Sequence, residues 1–164
     1  MSESHHLAEA LERLFIDSEN GWYMPFNQAL EGLNAAQAAR IPALGFNSIW
    51  GVVNHVRMCT EVVLLRLRNQ PIDRKALGAE NDWPPAGNPQ DEAAWQAACQ
   101  RALSVNRELA QAIENLADEA LEQPIFSDRY KRYHELIGLI AHNGYHTNEI
   151  ISLRHMQGWW LAET

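Results

Sequence analysis

The sequence predicts an all-α fold: a four-helix bundle with a long connection between its second and third helices. Three observations predict it. Apolar residues recur at three- and four-residue spacing through four long stretches, and no stretch makes a convincing strand. The length of 164 residues with 46% hydrophobic composition suits one domain, residues 1–164, around one buried core.

The first helix is marked by Leu7, Leu11, Leu14, Phe15 and Ser18, and the pattern resumes after Gly21 and Pro25 with Phe26, Leu30 and Leu33. Pro25 lacks an amide hydrogen and restricts the residue before it, so a break or bend is expected near Met24. The polar start, with His5 and His6, reads as a flexible end without a role.

Arg40 to Phe46, with Pro42 and Gly45, is turn-like and leads to Asn47 or Ser48 as a helix N-cap. The run from Ile49 to Leu67 is the second helix; its β-branched content would also suit a strand, but about 20 residues without a turn signal favour a helix. Gln70 to Asn88 follows, holding Pro71, Gly78, Pro84, Pro85 and Gly87. It is longer than most connections in compact domains, so it either crosses the bundle or covers something.

Asn88 then Pro89 at the first helical position, with Gln90, Asp91 and Glu92 in the first turn, predicts the start of the third helix. It runs through Trp95, Ala98, Ala102, Val105, Leu109 and Ile113 and ends near Leu116 or Ala117. After a loop with Pro124, the fourth helix is expected from near Lys131 to Gln157, with Gly158 just past its end.

Charge narrows the function classes. A formal net charge of −8 repels phosphate backbones and anionic lipid, so neither nucleic acid nor a membrane is an expected partner. The local basic run Arg129, Lys131 and Arg132 is flanked by Asp128 and Glu135 and reads as a solvated helix start. The two cysteines, Cys59 and Cys99, form no paired motif. A polar, early-acidic start is unlike a secretory signal, and no apolar run approaches the roughly 20 residues of a membrane span, so a cytoplasmic location is expected.

His142 and His146 stand four apart, which on a helix puts one imidazole a turn above the other, so both can meet one ion. Their stripe continues as Glu135, Leu139, His142, His146, Glu149 and Leu153, a line bounded by apolar residues that is expected to face the core. Ser48, Val52, His55 and Cys59 form a second such stripe, which offers His55 as a third ligand. Inward imidazoles need partners for their ring nitrogens, and a metal supplies one for each. Three protein ligands with an open position are the usual arrangement of catalytic zinc. The residue after His142 is Asn143 and not glutamate, which disfavours peptide hydrolysis of the H-E-x-x-H type. Di-iron chemistry is disfavoured as well, because the E-x-x-H from Glu3 to His6 lies in the polar end.

Two segments resemble the DinB-like superfamily of metal-binding four-helix bundles, which includes the YfiT-like proteins. Ala141 to Arg154, then Gly158 and Trp159, resembles its H-x-x-Y-H-x-G-Q-I-x-x-L-R signature in the fourth helix. Asn47 to His55 resembles its S-I-W-x-x-x-x-H motif in the second, with weaker echoes in Asp82 to Pro85 and Glu92 to Trp95. The resemblance implies one divalent ion, zinc or nickel, held by His55, His142 and His146, and a homodimer. The sequence departs from the family at Asn148 and Glu149, where glycine and glutamine are frequent; Glu149 could bind the metal, act as a base or pair with solvent.

Three neutral imidazoles leave the ion's charge uncompensated, which favours an anionic or ionisable fourth ligand and deprotonates a bound thiol. Family members that join bacillithiol, mycothiol or glutathione to electrophiles fit that chemistry. The expected function is therefore a metal-dependent thiol S-transferase acting on a low-molecular-weight thiol and an electrophile. A non-catalytic, metal-stabilised stress-related bundle and a metal-dependent hydrolase use the same ligands and stay open. Trp22, Trp50 and Trp95 are expected in core or dimer packing, Trp159 and Trp160 at the bundle end, and Cys59 in the core, while Trp83 in the Pro-rich loop could cap the pocket as part of a lid. His134 and His155 fall off the stripe and are expected at the surface.

Overall fold

The computed structural model describes residues 2–16, 22–73, 75–77 and 83–160. Ser18, Gly21, Gly78 and Asp82 lie outside the described residues. Four long helices make the body of the molecule: α1 (Glu3–Ile16), α4 (Ile49–Leu67), α5 (Glu92–Glu114) and α7 (Arg132–Met156). Between them stand α2 (Phe26–Leu30), α3 (Ala35–Ala38), α6 (Asp118–Leu121) and a hairpin of β1 (Pro124–Ser127) and β2 (Tyr130–Lys131). The all-α bundle expected from the sequence is the fold.

Each long helix packs against two others, α1 and α4 both on α5 and both on α7. Trp50 meets Trp95 and Glu61 meets Arg101, so α4 and α5 run parallel. His5 meets Glu114, and Arg66 meets Glu135, so α1 opposes α5 and α4 opposes α7. The order is thus up, down, down, up. Parallel neighbours cannot be joined by a tight turn: a 19-residue helix is about 28 Å long, and the chain after Leu67 must return that far before α5 begins. This is the physical reason for the long connection.

The ends follow capping chemistry. Ser48 caps α4 by accepting from the Gly51 amide, and Gly158 at φ +76° ends α7 in a left-handed turn, with the Gly158 and Trp159 amides donating to the His155 and Arg154 carbonyls. The third helix starts later than its Pro89 predicts. Pro89 sits in a turn closed by the Asp91 amide on the Asn88 carbonyl, and Asp91 is the cap, its side chain accepting from the Ala94 amide.

Four further differences stand out. The N-terminal residues are docked: Glu3 opens α1, Ser4 is buried, and His5 pairs with Glu114 at 3.0 Å. The hairpin comes from the β-favouring Ile125, Phe126 and Tyr130 on either side of a turn at Asp128 and Arg129, too short a run to show a period of two. The basic run is split by it, Lys131 pairing with Glu122 while Arg132 opens α7. Trp22 is 92% exposed and outside the core.

Most of the core lies in two apolar clusters, with a small third of Met58 and Leu77. One gathers Phe15, Phe26, Ile49, Trp50, Trp95 and Ile150; the other gathers Leu11, Leu64, Leu109, Ile113 and Leu136. Between them on α4 and α7 is a buried polar layer of Thr60, Asn143, His146 and Thr147.

Candidate metal centre

The polar layer is where the histidines meet. His55 stands near the middle of α4, and His142 and His146 project from α7 one turn apart; one ligand nitrogen from each lies within 4.8 Å of the others. His55 Nε2 is 3.1 Å from His142 Nε2. Among the described residues these three form the one group of His, Cys, Asp and Glu side chains gathered this way.

The neighbours fix which nitrogen faces the group. Thr60 Oγ1 donates to the Val56 carbonyl at 2.8 Å, so it must accept from Asn143 Nδ2, 3.2 Å away. That turns Asn143 Oδ1 toward His142 Nδ1 at 3.0 Å, and an amide oxygen can only accept. His142 therefore carries its proton on Nδ1 and presents the Nε2 lone pair to His55. Burial is the main cause that lowers the His142 pKa; the proximity of His146 adds to the effect and the Asn143 bond opposes it. The shift favours the neutral ring, the form that ligates metal.

His146 is arranged in the same way. Its Nδ1 donates to Glu149 Oε2 at 2.7 Å, and Glu149 Oε1 accepts from Asn47 Nδ2 at 2.9 Å. Both Glu149 oxygens are engaged behind His146. Holding the outer nitrogen of a ligating histidine with a carboxylate or amide is the common device for fixing its tautomer and ring direction.

The long connection closes one side. Trp83 stacks on His55 with ring centroids 4.4 Å apart and 26° between planes. Its position follows from the stretch after it: Ser48 Oγ donates to the Ala86 carbonyl, and the Pro84 carbonyl and Trp83 indole lie against Gly51. Gly87, at φ +94°, passes so close to Trp50 that a Cβ would stand 2.4 Å from the indole. Only glycine fits both the angle and the gap. Trp83 thus stands against His55 and His146 on one side of the group.

The other expected side chains are placed as follows. Trp50 and Trp95 are buried, Trp159 packs on the core at the end of α7, and Trp160 is exposed and stacked on His155. His134 and His155 are exposed. Cys59 is half-buried, its Sγ 3.7 Å from His55 Nε2, outside the group of three ligand nitrogens. Sequence reading missed Asn143 and Thr60 as supports of His142; their adjacency in the structure depends on the register of α4 against α7.

No helix among the described residues is long and apolar enough to cross a membrane. No curated protein and no solved structure matches the chain. The family model for the DinB superfamily matches residues 23–150, which include all three histidines, Asn47, Asn143 and Glu149. With that match over most of its length, the chain belongs to the DinB superfamily.

Proposed function

We propose that the protein is a metal-dependent thiol S-transferase, holding one zinc or nickel ion between His55, His142 and His146. One observation carries the reading. Two of the three imidazoles have their outer nitrogens tied to fixed acceptors, which points their inner lone pairs at a common centre before any ion binds. The ion supplies Lewis acidity: a thiol on it is deprotonated at neutral pH. Asn143 and Glu149 orient the rings. Glu149 is read as a positioning carboxylate and not as a fourth ligand or base, because both its oxygens are occupied on the far side of His146. On this reading the fourth position is left to the thiol. Trp83 shields His55 from water on one side. The family resemblance also supports a homodimer.

Conjugation of bacillithiol, mycothiol and glutathione to a chloro-dinitro aromatic is the direct assay, comparing metal-loaded and chelated protein. Turnover with at least one thiol, abolished by chelation and restored by the ion, is expected. No metal-dependent turnover with any of them overturns the proposal.

A further inference from the structure

A cleft of about 670 Å³ opens from the histidines along the seam between α4 and α7. His55 and His142 line one end, and Arg66, Glu135 and Tyr130 line the other. From His55 to Arg66, eleven positions further along α4, the cleft follows about 16 Å of helix. Its volume is that of sites that enclose molecules of a few hundred daltons.

The middle is apolar, with Met58, Val62 and Leu139 on its walls. The far end is polar but already neutralised: Arg66 pairs with Glu135, which is 9% exposed. The hairpin closes that end. Arg66 lies over the Phe126 ring at 4.9 Å, Phe126 packs on Tyr130 at 4.8 Å, and the absent side chain of Gly138 admits the Tyr130 hydroxyl, which would stand 3.3 Å from a Cβ. An anionic group at this end would share Arg66 with a buried carboxylate, and a cationic one would displace Arg66 from its partner. Arg66 keeps 31% of its side chain in water, but Glu135 is nearly buried, so either group weakens the compensation of a buried carboxylate, which costs more than the contact returns.

We propose that this cleft is the electrophile subsite and takes an uncharged, elongated apolar molecule, its reactive end toward the histidines and its uncharged end at the Arg66–Glu135 pair. The assignment rests on the thiol-transferase reading for the word electrophile; the selection for an uncharged apolar body rests on the cleft alone.

The test uses the full chain and two fluorescent molecules of one shape, N-phenyl-1-naphthylamine, which is uncharged, and its anilinonaphthalene sulfonate counterpart. They are compared first in chelated protein, where no ion attracts the sulfonate. The neutral molecule is expected to bind at one equivalent and about tenfold or more tightly than the sulfonate, a difference of about 1.4 kcal/mol. Glu135→Gln leaves Arg66 uncompensated, so the preference should narrow or reverse. Val62→Trp and Ile72→Trp, both at cleft-lining positions outside the deepest core, should each weaken the neutral molecule about tenfold by filling the space. Metal loading should leave the neutral molecule bound. Equal binding of the two molecules, or neutral binding untouched by both tryptophan variants, overturns the subsite. Neutral binding in a protein that takes up no metal would sustain the cleft and defeat the transferase; metal-dependent turnover without neutral binding would do the reverse.

Discussion

Asn143 decides what His142 can do. Its amide is fixed by Thr60, whose hydroxyl proton is spent on the Val56 carbonyl, so the chain of donors runs one way and ends with a lone pair on His142 Nε2. Asn143→Leu removes the acceptor while keeping the volume. It should weaken metal binding about 10- to 100-fold in chelator competition. Glu149→Gln, whose amide oxygen still accepts from His146, should lose less than Glu149→Ala; equal losses would mean that Glu149 does not orient the ring. The pairing of His142 with His146 was legible in the sequence because residues four apart on a helix return to nearly the same face. Asn143 and Thr60 were not, since 83 positions separate them and no local period reports a contact across helices. The hydroxyl and amide are also ordinary in any helix. Cys99 is a separate residue-scale case: burial, with the charge of Glu92 adding, pushes its thiol up to about 12. The thiol therefore stays protonated near neutral pH and should resist iodoacetamide at pH 8 in the folded protein, as read by mass spectrometry. Rapid labelling of Cys99 under those conditions would contradict the burial.

At the scale of elements, the start of α1 is capped from a distance. Asp118, in the first turn of α6, accepts from the Glu3 and Ser4 amides and from the Ser4 hydroxyl, and these bonds hold its carboxyl below its ordinary value of 3.8. A carboxyl with a lowered folded pKa adds stability that is complete above its unfolded value and is lost as pH falls through the folded one. The wild type should therefore lose more stability than Asp118→Asn on going from about pH 4 downward, measured by urea unfolding at each pH. Parallel pH dependences for the two proteins would contradict the cap. The polar N-terminal sequence gave no hint of this, because its partner lies 115 positions away. The capped ends of α4 and α7 were readable, since Ser48 and Gly158 act on their own helices. The start of α5 was misread, because Asn88 and Pro89 are equally good residues for the turn that precedes the helix. Arg154 belongs to the motif on α7 yet holds the fold and not the site. Its guanidinium donates to the Ala29 and Glu31 carbonyls at 2.9 and 2.7 Å, tying α7 to the end of α2.

At the scale of the molecule, the up-down-down-up order explains two things together. It requires a long return between α4 and α5, and that return carries Trp83 across the histidines. It also sets α4 against α7 in opposite directions, so that His55 faces His142 and Arg66 faces Glu135 along one seam. The short α3 and α6 show no period of their own, whereas the four long helices and the long connection were legible because periodicity and loop length are local properties. The helix directions and the cleft were not, because they depend on which faces meet. The central claim is that α4 and α7 together hold one divalent ion through three imidazoles. Metal content per chain after loading and exhaustive dialysis tests it most directly, on wild type and His142→Ala side by side, with circular dichroism to establish that both are folded. One equivalent in the wild type and a loss of stoichiometric binding in His142→Ala is the predicted result; a folded His142→Ala that keeps one equivalent would contradict the ligand set.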